Sequence, residues 1–292
     1  MASALPTEHV ESTDGVQIAV HPLGGSGPLL LVSHATGFHG RCYEPLADVL
    51  GGRATSLAFD YRGHGDTARP DTPVDWQQYG DDAVAMARWA VERNGGEPVD
   101  AFGHSMGGAC LLMAAHRDPS LFRTLVVFEP IVFPPEGIHP SGPDGEPQES
   151  PMVIGARKRR ATFPSYEAAI ENYASKPPLR VFTPAALRAY VVHGFSEDAE
   201  GVHLKCRPEV EAATFATGGA HDTWSHLQQI RTPTVVVAGQ IQQLQPSSIA
   251  ARVCERLPNG RYVQLDELDH FGPMTHPAEI ADLVADAMTR GA

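Results

Sequence analysis

The sequence predicts an α/β fold: a mostly parallel central sheet of about eight strands, helices on both faces, and an insertion in the middle third. Three observations predict it. Short β-branched or apolar runs alternate with stretches of helical spacing, as parallel strands and their crossover helices do. Some runs are continuously apolar, as strands covered on both faces must be. The alternation stops after Phe128 and resumes near Asp222.

Taken in order, Val16–His21 reads as an early strand entered through the turn Thr13-Asp14-Gly15, and Leu29–Ser33 as a buried one. Tyr43–Leu50 has helical spacing, and Ala54–Phe59 is the next strand. Asp81–Val91 reads as a helix, with Asp81 and Asp82 suited to its first turn. The strand Val99–Gly103 leads into a helix over Met106–His116, and the strand Thr124–Phe128 stops at Glu129-Pro130. Phe133–Pro151 is too rich in proline and glycine for regular structure. From there to Ala220 the sequence predicts helices at Tyr166–Tyr173 and Pro184–Val192 and no strands. A helix near Asp222–Gln229, the strand Thr234–Ala238, the helix Ser247–Arg256, the strand Arg261–Leu265 and the helix Pro277–Thr289 complete the chain. With no repeat and no linker, 1–132 and 221–292 are expected to form one core, with 133–220 as a cap inserted between its halves.

The 292 residues suffice for one such domain. A net charge of -13 argues against nucleic acid and anionic membranes as partners. The one basic cluster, Arg157-Lys158-Arg159-Arg160, reads as a solvated helix face. The four cysteines form no Cys-x-x-Cys pair, which suits a reducing compartment and no structural zinc. The N-terminus has no signal-peptide pattern and no run approaches the ~20 apolar residues of a membrane span, so a cytoplasmic protein is expected. A homodimer is compatible with the sequence.

Gly103-His104-Ser105-Met106-Gly107 sits between a predicted strand and a predicted helix. A serine on so sharp a turn projects its hydroxyl away from the sheet, and the flanking glycines let helix and strand cross closely. The helix N-terminus adds free N–H groups beside a developing oxyanion. No lysine follows, as a phosphate-binding loop would require.

From Val16 to Met288 the order strand, serine elbow, helix, strand, insert, strand, helix, strand, histidine resembles the α/β-hydrolase superfamily. The segment Asp60-Tyr61-Arg62-Gly63-His64-Gly65 resembles a turn common after the fourth strand there. The resemblance implies a Ser/His/acid triad, an oxyanion hole and a helical cap. It makes Ser105 the nucleophile and, by chain order, His270 the base; an imidazole exchanges protons near neutral pH. Many relatives carry an aspartate after the seventh strand. Here Gly239-Gln240-Ile241-Gln242-Gln243-Leu244-Gln245 holds no carboxylate, and Gln242 stands where the acid is expected. Glu129, at the end of the sixth strand, is the preferred replacement, because strand ends of a parallel sheet form its ligand-binding rim. Haloalkane dehalogenases and lactone hydrolases related to zearalenone-degrading enzymes carry their acid there. Asp266, Glu267 and Asp269 remain rivals.

The loop His34-Ala35-Thr36-Gly37 follows a buried strand, and the resemblance gives the oxyanion hole to the backbone N–H groups of Thr36 and Met106. Phe38, His104, Phe133, Trp224 and Phe271 are expected to contact substrate, with Tyr166, Phe182, Tyr190 and Phe195 as further aromatic candidates. The expected activity is hydrolysis of an ester, lactone or related acyl bond of a small apolar substrate through a Ser105 acyl-enzyme. No metal and no cofactor are expected, there being no His-Glu-x-x-His or comparable cluster. C–C hydrolysis, lyase chemistry and perhydrolysis use similar scaffolds. A non-catalytic binder on the same fold is the alternative of another class.

Overall fold

The computed structural model describes residues 7–69, 75–136, 149–218 and 220–290. Eight strands form the main sheet. They are β1 (Glu8–Glu11), β2 (Gln17–Gly25), β3 (Leu29–Ser33), β4 (Thr55–Phe59), β5 (Val99–His104), β6 (Phe122–Phe128) and, later in the chain, Thr234–Ala238 and Gly260–Gln264. Three short strands intervene in sequence, β7 (Thr162–Phe163), β8 (Phe195–Asp198) and β9 (Gly201–Leu204), so the last two of the main sheet are β10 and β11. The order is β1-β2-β4-β3-β5-β6-β10-β11. Only β1 and β2 run antiparallel to their neighbours; the rest are parallel.

Register positions the site. Ser33 of β3 pairs with Gly103 of β5, while Phe128 of β6 pairs with both His104 and Val237. The ends of β3, β5, β6 and β10 therefore lie level at one edge. Strand order reverses around β3, and this is where an open parallel sheet leaves a crevice.

Helices cover both faces. On one side α2 (Trp76–Arg93), α3 (Met106–Arg117) and, after the insert, α9 (Ser247–Arg256) bury Met86, Leu111 and Val253 against Leu31, Val127 and Val236. On the other, α1 (Glu44–Leu50) and the last helix, α11 (Pro277–Arg290), bury Leu46, Ile280 and Val284 against Val32, Phe102 and Val235. Each such side chain contributes about 1.5–3 kcal/mol of burial.

The segment between β6 and β10 holds α4 (Pro151–Arg157), α5 (Tyr166–Ala174), α6 (Pro184–Gly194) and α7 (Pro208–Ala216). Hydroxyls of Ser150, Ser165 and Thr183 cap the first three, accepting from Met152, Ala168 and Ala186 N–H. Contrary to the sequence expectation, this segment also contains a three-stranded sheet, β7-β9-β8. It is anchored by Phe163 and Phe195, whose rings pack 5.9 Å apart. The expected irregular run Phe133–Pro151 is irregular at 133–136; residues 137–148 lie outside the described residues.

Two further expectations are corrected. Helix α2 starts at Trp76, where Asp75 forms a capping box with Gln78. Asp82 is therefore inside the helix and buried, accepting from Arg62 at 2.7 Å and from Ser12 Oγ at 2.6 Å. The basic cluster is not one solvated face. The helix ends at Arg157, and Arg159 turns inward while its neighbours stay exposed.

Candidate active site

Ser105 stands between β5 and α3 with φ 56° and ψ -114°. A non-glycine residue there costs of order 1–3 kcal/mol. Three backbone hydrogen bonds hold it. Its N–H donates to Phe128 O at 2.9 Å, and its carbonyl accepts from Ala109 and Ile131 N–H at 3.1 and 3.2 Å. The turn requires Gly107, because a Cβ there would lie 2.2 Å from Ser33 O.

Glu129 also has positive φ, 45°, and its N–H donates to Val237 O at 2.8 Å. Its buried carboxylate has two partners. Oε1 accepts from Gly239 N–H at 2.9 Å, and Oε2 lies 2.6 Å from His270 Nδ1. Since a carboxylate only accepts, Nδ1 carries the proton and Nε2 is left to accept from Ser105 Oγ at 3.1 Å. Serine, histidine and glutamate thus form one hydrogen-bonded row.

The rival carboxylates are elsewhere. Asp266 and Glu267 are exposed, and Asp269 Oδ1 accepts from Phe271 N–H at 2.9 Å. Gln242 is exposed, with its N–H on Ser247 Oγ at 3.0 Å.

A second row braces the first. Ala35 N–H donates to Tyr43 Oη at 3.2 Å, and Tyr43 Oη lies 2.9 Å from His104 Nδ1. His104 Nε2 is 2.8 Å from the carbonyl of His270 and must donate to it, so Nδ1 accepts from the phenol. Burial, reinforced by the nearby His270 imidazole, pushes the His104 pKa well down and keeps the ring neutral. The row ties the loop after β3 to the backbone of the base. His34 is held likewise: its Nδ1–H donates to Ala35 O at 2.7 Å, its Nε2 accepts from Tyr61 N–H at 3.0 Å, and burial lowers its pKa to about 3. Thr36 and Met106 lie at the open edge of β3 and the first turn of α3, and neither backbone N–H has a protein acceptor among the described residues.

These residues floor a cavity of about 410 Å³. Thr36, Phe38, His104, Ser105, His270 and Phe271 line it from the core, and Phe38 stacks on Phe271 with ring centroids 6.3 Å apart. Phe133 lines a smaller space of about 60 Å³ that also reaches Ser105 and His270. Trp224, expected in the lining, borders neither space. It packs at the edge of the core under Arg252 and Arg256, because its side chain follows the short helix Thr223–His226 rather than the strand-end rim. Of the other aromatic candidates, Tyr190 lines the main cavity, whereas Phe182 and Phe195 are packed behind it. A wider groove of about 630 Å³, between Gly63–Arg69 and Lys205–Val210, contains none of the triad residues.

The far wall comes from the segment between β6 and β10, and most of it is not foreseen from the sequence. Arg159 donates to the Glu211 carboxylate and to the phenols of Tyr173 and Tyr190. Tyr190 is among the aromatic candidates, but the burial of Arg159 has no local signal in the sequence, its tyrosine partners being 14 and 31 residues away. Among the described residues the one grouping with metal-ligand chemistry is His21, Asp60 and Asp66. Asp60 there already accepts from His21, Gly40 N–H and Asp66 N–H, so its carboxylate is committed to protein donors.

A parallel sheet in this order, with a serine on the turn after β5, defines an α/β-hydrolase. The chain belongs to the alpha/beta hydrolase family, whose model matches residues 29–283. A 2-(acetamidomethylene)succinate hydrolase of Mesorhizobium japonicum is 27% identical over 252 residues, 85% of this chain and 83% of that protein. Monoglyceride lipase of Homo sapiens is 32% identical over 129 residues, 42% of this chain and 43% of the lipase. The solved structure of an E-2-(acetamidomethylene)succinate hydrolase superposes with a TM-score of 0.76 at 22% identity, covering 97% of this chain and 99% of that one. Family membership and these relatives support a hydrolytic enzyme. No described helix is long and apolar enough to cross a membrane.

Proposed function

We propose that this protein is a serine hydrolase that cleaves an ester, lactone or related acyl bond through a Ser105 acyl-enzyme. The observation that carries the reading is the row Ser105 Oγ, His270, Glu129 at the floor of a cavity. His270 Nε2 takes the Ser105 proton as Oγ attacks the acyl carbon, and returns it to the leaving group as the acyl–heteroatom bond breaks. Water, deprotonated by the same nitrogen, then releases the acid and regenerates Ser105. Glu129 keeps Nδ1 protonated and stabilises the imidazolium. The Thr36 and Met106 N–H groups receive the oxyanion; removing one such donor typically costs about 10²–10³ in kcat.

In this reading segment 133–220 is the cap that closes the cavity, and Phe38 and Phe271 hold the apolar part of the acyl group. Cleavage of an amide bond, with an amine leaving group, is a second reading, favoured by the relative named for an acetamido compound and matched across 85% of this chain. A fluorophosphonate probe tests the enzyme claim. The expected result is a single adduct on Ser105 and turnover of short-chain p-nitrophenyl esters. Folded protein that forms no adduct supports the non-catalytic binder instead.

A further inference from the structure

The wall opposite the triad contains charge that the acyl chemistry does not use. Arg159, half-buried in that wall, gives one Nη1 donor to Glu211 and its Nη2 donors to Tyr173 and Tyr190. A guanidinium has five N–H donors, so Nε–H and one Nη1–H remain without an acceptor among the described residues. Nε is not sealed from solvent, so this edge of the guanidinium is open to a ligand. Glu211 balances the charge of Arg159, so this pair alone suits a neutral polar group.

Lys176 tips the balance. It also lines the cavity from the exposed turn just after α5, and its Nζ bonds only the Asn172 amide oxygen, at 2.8 Å. No carboxylate among the described residues pairs with it, although the chain carries a net charge of -13. Outside the triad the lining therefore holds two cations against one anion.

We propose that Lys176 and Arg159 form a subsite for a carboxylate on the acyl portion of the substrate, held there while the acyl carbon lies over Ser105. The words "acyl portion" rest on the hydrolase reading; the anion subsite does not. A single uncompensated charge matches a monoanion. A phosphate dianion would call for more than one uncompensated positive charge.

The test uses the Ser105→Ala protein, which cannot turn substrate over, titrated calorimetrically with mono-p-nitrophenyl glutarate and with p-nitrophenyl valerate. The two esters have the same chain length and differ in the terminal carboxylate. The expected result is a preference of about threefold to fivefold for the glutarate ester, the scale of one exposed ion pair. That ratio should fall toward one in Lys176→Met, persist in Lys176→Arg and shrink as salt is raised. Equal affinities, no binding of the glutarate ester at millimolar concentration, or a preference that survives Lys176→Met would overturn the subsite. Hydrolysis of either ester by the unmodified enzyme reports separately on the hydrolase reading. Tight binding of the glutarate ester without turnover would keep the subsite and discard the acyl chemistry.

Discussion

The floor and the far wall of the cavity meet around one small space but solve opposite electrostatic problems. The floor is built from strand ends, with the Glu129 carboxylate buried beside His270 and His104 kept neutral by burial. Behind it, around the buried Asp60, burial lowers His34 to about 3, and His39 and His64 to about 4. The wall is built from helices of the insert and keeps its charges, Arg159 against Glu211 with Lys176 beside them. In the proposed mechanism proton transfer requires fixed tautomers, and a level row of strand ends holds them. The proposed subsite requires charge, and the segment between β6 and β10 can vary its charge without disturbing the sheet.

The largest predicted effect breaks the floor. Glu129→Ala should lower kcat by about 10³–10⁴, because His270 loses the partner that fixes its tautomer. Adding Gln242→Asp should not restore the rate, since position 242 is exposed to solvent. Recovery in the double variant, measured on the same ester, would show that the usual acid position is still competent.

Changes in the wall should cost stability and carboxylate binding rather than the acyl-transfer step. Arg159→Met strands the Glu211 carboxylate and should destabilise by about 3 kcal/mol. Glu211→Gln in the same chain should recover part of that, read by urea unfolding. Equal stability of single and double variants would mean that the pair is not coupled.

Acid sharpens the contrast further. The neutral histidines in and behind the floor have depressed pKa values in the folded state, whereas the unfolded chain protonates them near ~6.5. Their contribution is present above about pH 6.5 and lost as pH falls toward about 4. Thermal unfolding should therefore fall steadily across that window; a flat profile would contradict the assignment of neutral rings. The smallest effect belongs to Tyr43→Phe, which removes the link between Ala35 N–H and His104. It should reduce kcat by only a few-fold and cost about 1–3 kcal/mol of stability, because two polar groups lose their partner. Unchanged kcat and stability would show that the second row braces nothing.

Much of the floor is legible in the sequence because local patterns encode it. The glycines around Ser105 mark the elbow, chain order marks His270, and the missing carboxylate at 240–245 directs attention to Glu129. The wall is not legible. Arg159 sits in a run of four cations whose neighbours are exposed, and only the helix end at Arg157 turns it inward. Strand β7 is two residues long and depends on pairing with β9 some forty residues away. Strand β1 bears Glu at both ends, so it lacks an apolar signature. Trp224 shows the limit of residue type, since an aromatic suits the edge of a core as well as a cavity. Tyr43 likewise looks like the start of a helix, and its hydroxyl gains meaning only when β5 brings His104 beside it.

In the proposed mechanism Glu129 orients His270 to activate Ser105. The most direct test is the rate at which a fluorophosphonate labels Ser105 in Glu129→Gln and in Asp269→Asn, which requires no knowledge of the substrate. Labelling should slow by about 10² or more in Glu129→Gln and stay near normal in Asp269→Asn. Normal labelling of Glu129→Gln together with loss in Asp269→Asn would contradict that mechanism.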